Sequence, residues 1–134
     1  MAKAKEFRVT IEDRPAALGA CCKALADRGI NILAFQSFVE QGESLARFVV
    51  DNPAAAMEVF RAAHANFEQE DVAVVRLAHQ PGELARAAML LGAERVNINY
   101  SYCGLEPGST APLAVFGVDQ VIKASAALDT IAAK

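Results

Sequence analysis

Val9-Thr10-Ile11-Glu12-Asp13-Arg14-Pro15-Ala16-Ala17-Leu18 and Val75-Arg76-Leu77-Ala78-His79-Gln80-Pro81-Gly82-Glu83-Leu84 share one pattern: an apolar strand end, a loop, a proline, a leucine. The prolines are separated by 81 − 15 = 66 residues, and the same offset carries Ile30-Asn31-Ile32 onto Val96-Asn97-Ile98. It also carries Leu18, Cys22 and Leu25 onto Leu84, Ala88 and Leu91. Three features in register without a gap identify an internal repeat, and a repeat decides the architecture before any other signal. Further on, Phe48-Val49-Val50-Asp51 meets Phe116-Gly117-Val118-Asp119 at an offset of 116 − 48 = 68. The extra residues fall in a turn, where insertions cost little.

Each copy yields the same order of elements. Alternation over Phe7 to Ile11, or Val72 to Leu77, marks a strand. Asp13 near the N-cap and Pro15 at the first helical position predict a helix start. Leu18, Cys22 and Leu25 recur on one helix face, and Gly29 is placed to end that helix. Strand two runs from about Ile30 to Val39, and in the second copy from Val96 to Cys103. Turns follow at Gln41-Gly42 and Pro107-Gly108. Leu45 to Val50 and Pro112 to Val118 form the third strands. The second helices carry Ala56, Phe60, Ala63 and Phe67, or Val121, Ala124, Leu128 and Ile131. Phe67 to Leu77 is long enough for a strand that closes the first copy and opens the second.

The fold expected is α+β: two ferredoxin-like βαββαβ modules in tandem, over residues 1–70 and 71–134, each an antiparallel sheet with its helices on one face. The second module has no room after its last helix for a closing strand, so its sheet is expected to be one strand short. A module of about 65 residues buries only ~60% of its unfolded surface, so the copies are expected to pack as one cooperative body.

Composition narrows the function. The chain has 134 residues, is just over half apolar, and carries 13 Lys and Arg against 16 Asp and Glu. A net charge of −3 lacks the basic footprint that phosphate binding needs, so no nucleic-acid partner is expected. An RNA-recognition module shares this element order, yet only Tyr100 and Tyr102 could stack bases. No apolar run approaches a membrane span and no secretory signal opens the chain, which points to the cytoplasm without a membrane partner. Cys21, Cys22 and Cys103 form neither a disulfide framework nor a metal-spaced set, and packing is their expected role. Cys21 near a helix start could have a lowered pKa. No catalytic triad, Cys-His pair or paired carboxylates stand out, so no enzyme, cofactor or metal is expected.

The residues Glu12-Asp13-Arg14-Pro15-Ala16-Ala17-Leu18 with Gly29-Ile30-Asn31-Ile32, and Gln80-Pro81-Gly82-Glu83-Leu84 with Val96-Asn97-Ile98, resemble the ACT domain. The resemblance covers nearly the whole chain, twice. In layout it is similar to small stand-alone tandem ACT proteins that carry no attached enzyme. It implies an amino acid held between modules, in contact with the loop before the first helix of one and the Asn of the second strand of the other. One implied site pairs Asp13, Arg14, Pro15, Ala16 and Leu18 with Asn97; the other pairs His79, Gln80, Pro81, Gly82 and Leu84 with Asn31.

The chemistry of those residue types suits such a ligand. Unpaired N–H groups of a first helical turn attract a carboxylate. Glycine admits close approach to the backbone, and Asn offers both a donor and an acceptor. Ala16 departs from the family's glycine, so the Gly82 site is expected to be the stronger. Asn31 and Asn97 could instead cap a turn after the helix, and His79 could be a solvated loop residue. Leu33, Phe35, Tyr100 and the loop from Cys103 to Ala111 are candidate pocket walls. The expected role is a regulatory amino-acid sensor, homo-oligomeric and acting on a metabolic enzyme. The alternative is a ligand-free interaction domain for an enzyme or transcription regulator.

Overall fold

A computed structural model describes residues 3–133, which form two compact units: Lys5–Glu70, and residues 71–133 together with residues 3–4. The first unit contains β1 (Lys3–Ile11, counted here from Lys5), α1 (Ala17–Asp27), β2 (Ile32–Glu40), β3 (Glu43–Val50), α2 (Pro53–Ala62) and the opening of β4 (Asn66–Arg76). β3 lies between β1 and β2, antiparallel to both, with Phe48 opposite Phe7 on one side and Phe35 on the other. Because side chains alternate across a strand, Arg8, Arg47 and Gln36 occupy the opposite face of the sheet. The helices cover the phenylalanine face. Leu25 of α1 and Ala56 and Phe60 of α2 join Phe7, Val9, Ala46 and Phe48 in one buried core.

Two helix boundaries differ from the sequence reading. α1 starts at Ala17, not at Pro15, because Ala16 has φ 72 and a left-handed residue cannot continue a helix. α2 stops at Ala62, so Phe67 belongs to β4, where its ring lies 5.5 Å from that of Phe60. His64, with φ 53, turns the chain out of the helix, and the Ala65 N–H closes the end on the Phe60 carbonyl. His64 is therefore an exposed turn residue rather than a helical one.

The second unit continues β4 and adds α3 (Glu83–Ala93), β5 (Ile98–Leu105), β6 (Pro112–Val118) and α4 (Val121–Asp129). Here β6 lies between β4 and β5, again antiparallel to both. Val75, Ala87, Leu91, Phe116 and Leu128 form its core, with Ile131, beyond the end of α4, packed against them. β2 and β5 each carry a register shift, between Ile32 and Ala34 and between Ile98 and Tyr100. The repeat thus preserves even the bulge.

β4 is one strand with two allegiances. Its first part meets β1, where Glu68 pairs with Arg8, and its later residues Ala73 to Arg76 pair with β6. Lys3 and Ala4 of β1 count with the second unit, where Lys3 Nζ lies 3.8 Å from Asp71 Oδ2. The copy expected to be a strand short therefore draws residues from the first strand of the chain. No helix among the described residues is long and apolar enough to cross a membrane.

Candidate functional site

The two proline loops have the same backbone, bond for bond. In the first, the Arg14 N–H donates to the Glu12 carbonyl at 2.9 Å and the Ala17 N–H to the Arg14 carbonyl at 3.3 Å. In the second, the Gln80 N–H donates to Ala78 at 2.9 Å and the Glu83 N–H to Gln80 at 3.4 Å. Each helix is then entered from a left-handed residue, Ala16 (φ 72, ψ −6) or Gly82 (φ 91, ψ −11), and neither entry has a side-chain cap. The Ala17 and Glu83 N–H groups are taken by these loop bonds, and the next N–H groups of each first turn, without a capping side chain, can meet an anion. Asp13, Arg14, Pro15, His79, Gln80 and Pro81 are all exposed, so each loop presents its side chains to solvent.

The reason for glycine at position 82 is conformational. A Cβ built there meets no atom within 4 Å, whereas φ 91 is costly for any other residue. Ala16 adopts the same geometry with a methyl group attached. Leu18 is half-buried against the first core, but Leu84 is 55% exposed, so the leucines that follow the two loops are not equivalent.

Charge differs between the loops as well. Arg14 Nε lies 2.6 Å from Glu12 Oε2 and Nη1 makes a 3.4 Å bond to the Pro15 carbonyl. In the second loop Gln80 Nε2 reaches Glu83 Oε1 at 3.4 Å, and Glu83 in turn faces Arg86 at 3.7 Å. The first loop holds a cation beside the helix start, the second a neutral amide.

The asparagines stand at the starts of the second strands, one residue ahead of the bulges. Asn31 is engaged within its own unit: its N–H and its Nδ2 donate to Asp51 Oδ1 and Oδ2 at 3.0 and 3.2 Å. Asp51 returns a bond from its N–H to the Asn31 carbonyl. Asn97 makes only a 3.3 Å side-chain bond to Asn99 among the described residues, and it is exposed. Both carboxamides thus have Nδ2 engaged, Asn31 by the charged Asp51 and Asn97 by the neutral Asn99.

Cys21 and Cys22 pack against the core of the first unit as expected, and the third thiol does not. Cys103 is exposed rather than packed. Burial, with Cys22 next in effect, pushes the Cys21 thiol up to about 11, the reverse of helix-start activation. Burial raises Cys22 too. Tyr100 and Tyr102 stack at 6.4 Å with an interplanar angle of 9°, and Tyr100 lies directly over Gly117. Sequence reasoning passed over Gly117, although its alignment with Val49 (117 − 49 = 68) was the available signal that a side chain had been given up there. No group of three His, Cys, Asp or Glu side chains suited to a metal ion occurs among the described residues.

Two ferredoxin-like units, each with its first helix entered through the same proline loop, define a paired regulatory-type fold. The sequence profile of the ACT domain pair matches residues 2–130, and the chain belongs to that family. Among solved structures it is similar to protein BT0572 from Bacteroides thetaiotaomicron, at 23% identity and a TM-score of 0.83 over 96% of this chain and 88% of that one. It is also similar to the ligand-free regulatory subunit of aspartate kinase from Thermus thermophilus, at 20% identity and a TM-score of 0.67 over 97% and 90%. The corresponding subunit from Thermus flavus gives 18% identity and a TM-score of 0.62 over 98% and 93%. At these identities the likeness is one of fold. No curated protein matches the chain.

Proposed function

We propose that this protein is a non-catalytic regulatory sensor that binds an amino acid and conveys its level to a metabolic enzyme. The observation that carries this reading is the duplicated loop, with matching hydrogen bonds and left-handed entry residues at Ala16 and Gly82. Membership of the ACT domain pair family and the fold shared with aspartate kinase regulatory subunits support it. In this proposal the amino acid lies between the copies. Asp13, Arg14, Pro15, Ala16 and Leu18 act with Asn97, and His79, Gln80, Pro81, Gly82 and Leu84 act with Asn31. The carboxylate takes the first-turn N–H groups and the carboxamide takes the ammonium. The protein acts in the cytoplasm as a homo-oligomer, and ligand preference for one conformation supplies coupling of about 1–3 kcal/mol.

Titration of the twenty amino acids by calorimetry and thermal shift tests the proposal. Saturation at 100 times Kd should raise stability by about 2.7 kcal/mol. Asn97→Ala and Gly82→Val should each remove binding at one site. Failure of every amino acid to bind would leave a ligand-free interaction domain as the better account.

A further inference from the structure

The helical layer of the first unit holds an open cavity of about 270 Å³ between α1 and α2. Ala20, Cys21 and Ala24 of α1 face Val59, Phe60 and Ala63 across it. The repeat supplies an internal control. Ala20 and Ala24 align with Arg86 and Leu90 at the 66-residue offset, and Ala63 with Ile131 at the 68-residue offset. Ile131 packs against the core of the second unit. Ala24 and Ala63 therefore stand where the second copy has the half-buried Leu90 and Ile131, while Arg86, the counterpart of Ala20, is exposed and faces Glu83. The groove opens to solvent along Ala20 and Ala63, both exposed.

The mouth is charged. Glu12 and Arg14 both border the cavity, and Glu12 engages the guanidinium through Nε. Arginine has five N–H donors. With Nε given to Glu12 and one long bond from Nη1 to Pro15, Arg14 keeps donors for a second carboxylate at the rim of an apolar chamber.

We infer that this cavity is a ligand site contained within the first copy, taking a small apolar monocarboxylate with its carboxylate on Arg14 and its hydrocarbon against the alanine walls. It goes beyond the amino-acid sites proposed above and shares only Arg14 with them. The Cys21 thiol in the wall, its pKa pushed up by burial, stays neutral near pH 7 and suits an apolar occupant. The volume lies below the ~300–1,000 Å³ of drug-sized pockets, so a fragment-sized acid fits.

The probe is 3-phenylpropionate, titrated by calorimetry into the full chain, with alkylation of Cys21 followed in a Cys22→Ser/Cys103→Ser background. Saturable binding is expected, with Cys21 alkylation slowed about tenfold at saturation. Ala24→Leu/Ala63→Ile, which installs the second copy's residues, should abolish both effects while amino-acid binding persists. Arg14→Gln should weaken the acid at least tenfold but leave the affinity for the neutral 3-phenylpropanamide unchanged. If the double variant fails to fold, Ala20→Met on the exposed side of the cavity carries the same test. No saturable binding to the wild type, or binding that survives filling of the cavity, would overturn the inference. Loss of amino-acid binding with retained 3-phenylpropionate binding would instead count against the sensor proposal alone.

Discussion

Ala16→Gly probes the loop backbone directly. Ala16 holds φ 72, ψ −6, and its counterpart Gly82 holds φ 91, ψ −11. In the left-handed region a Cβ crowds the following carbonyl oxygen, at a cost of roughly 1–2 kcal/mol. Replacing Ala16 by glycine relieves that crowding but loosens the unfolded chain, which costs about 0.4–1 kcal/mol. The net gain is about 0.5–1 kcal/mol, or about 2–5 °C in Tm for a chain of this size. Gly82→Ala runs the comparison in reverse. An added Cβ there touches nothing within 4 Å, so only the backbone is perturbed, and a loss of about 0.5–1 kcal/mol is expected. Urea denaturation checks both variants, with midpoints moving in opposite directions and m unchanged. A lowered midpoint for Ala16→Gly, or no change for Gly82→Ala, would refute the claim that both loops share one strained geometry.

Gly117→Ala should cost about 1–3 kcal/mol, since its Cβ would come within 2.1 Å of Tyr100 Cε1 and force the ring aside. Near-UV circular dichroism should register the lost Tyr100–Tyr102 stack, and Gly92→Ala, which meets nothing within 4 Å, is the control. Arg47→Met should destabilise by about 1.5–3 kcal/mol, the worth of a hydrogen bond to a charged group. It uncouples Glu6, which is fully buried 3.4 Å from the guanidinium; a smaller loss in Glu6→Gln/Arg47→Met would confirm the coupling by double-mutant cycle. For Cys21 the folded state holds the thiol proton more tightly than the unfolded one. Its contribution to stability is therefore complete below the ordinary thiol value of 9.0 and is lost as pH rises through about 11. The urea midpoint of the wild type should fall relative to Cys21→Ala over that window, and a constant difference would refute the burial argument.

The repeat made the fold legible, because a doubled pattern constrains element order twice. The strands, the long β4 and the glycine stop at Gly29 all follow from periodicity and turn chemistry. Helix boundaries were harder, and the reason is physical. Ala63 and Phe67 continue the helical spacing of Ala56 and Phe60, so nothing in their apolar pattern records that His64 turns left-handed between them. Pro15 reads as a helix start until Ala16 breaks the run. Alanine carries no mark of positive φ, and only its alignment with Gly82 hinted at one. The cavity between α1 and α2 was hidden for a related reason. Ala20, Ala24 and Ala63 read as good helix formers, and the meaning of Ala24 and Ala63 emerges only when Leu90 and Ile131 are set beside them.

Comparison of the copies shows which backbone conformations both units share. Four left-handed positions bound the first helix of each unit: Ala16 and Gly29 around α1, Gly82 and Arg95 around α3. Each copy spends glycine at one end and accepts a side chain at the other, in opposite order. At the helix ends the hydrogen bonds agree despite the exchange. Gly29 N–H to Ala26 and Ile30 N–H to Leu25 are matched by Arg95 N–H to Gly92 and Val96 N–H to Leu91. A conformation kept at Ala16 and Arg95, where the residue disfavours it, is imposed by its surroundings rather than by local preference. The helix end has an evident cause, since the Schellman bonds demand that geometry. The helix start has a cause of its own, since the Ala17 N–H to Arg14 and Glu83 N–H to Gln80 bonds close turns with proline second and a residue of positive φ third.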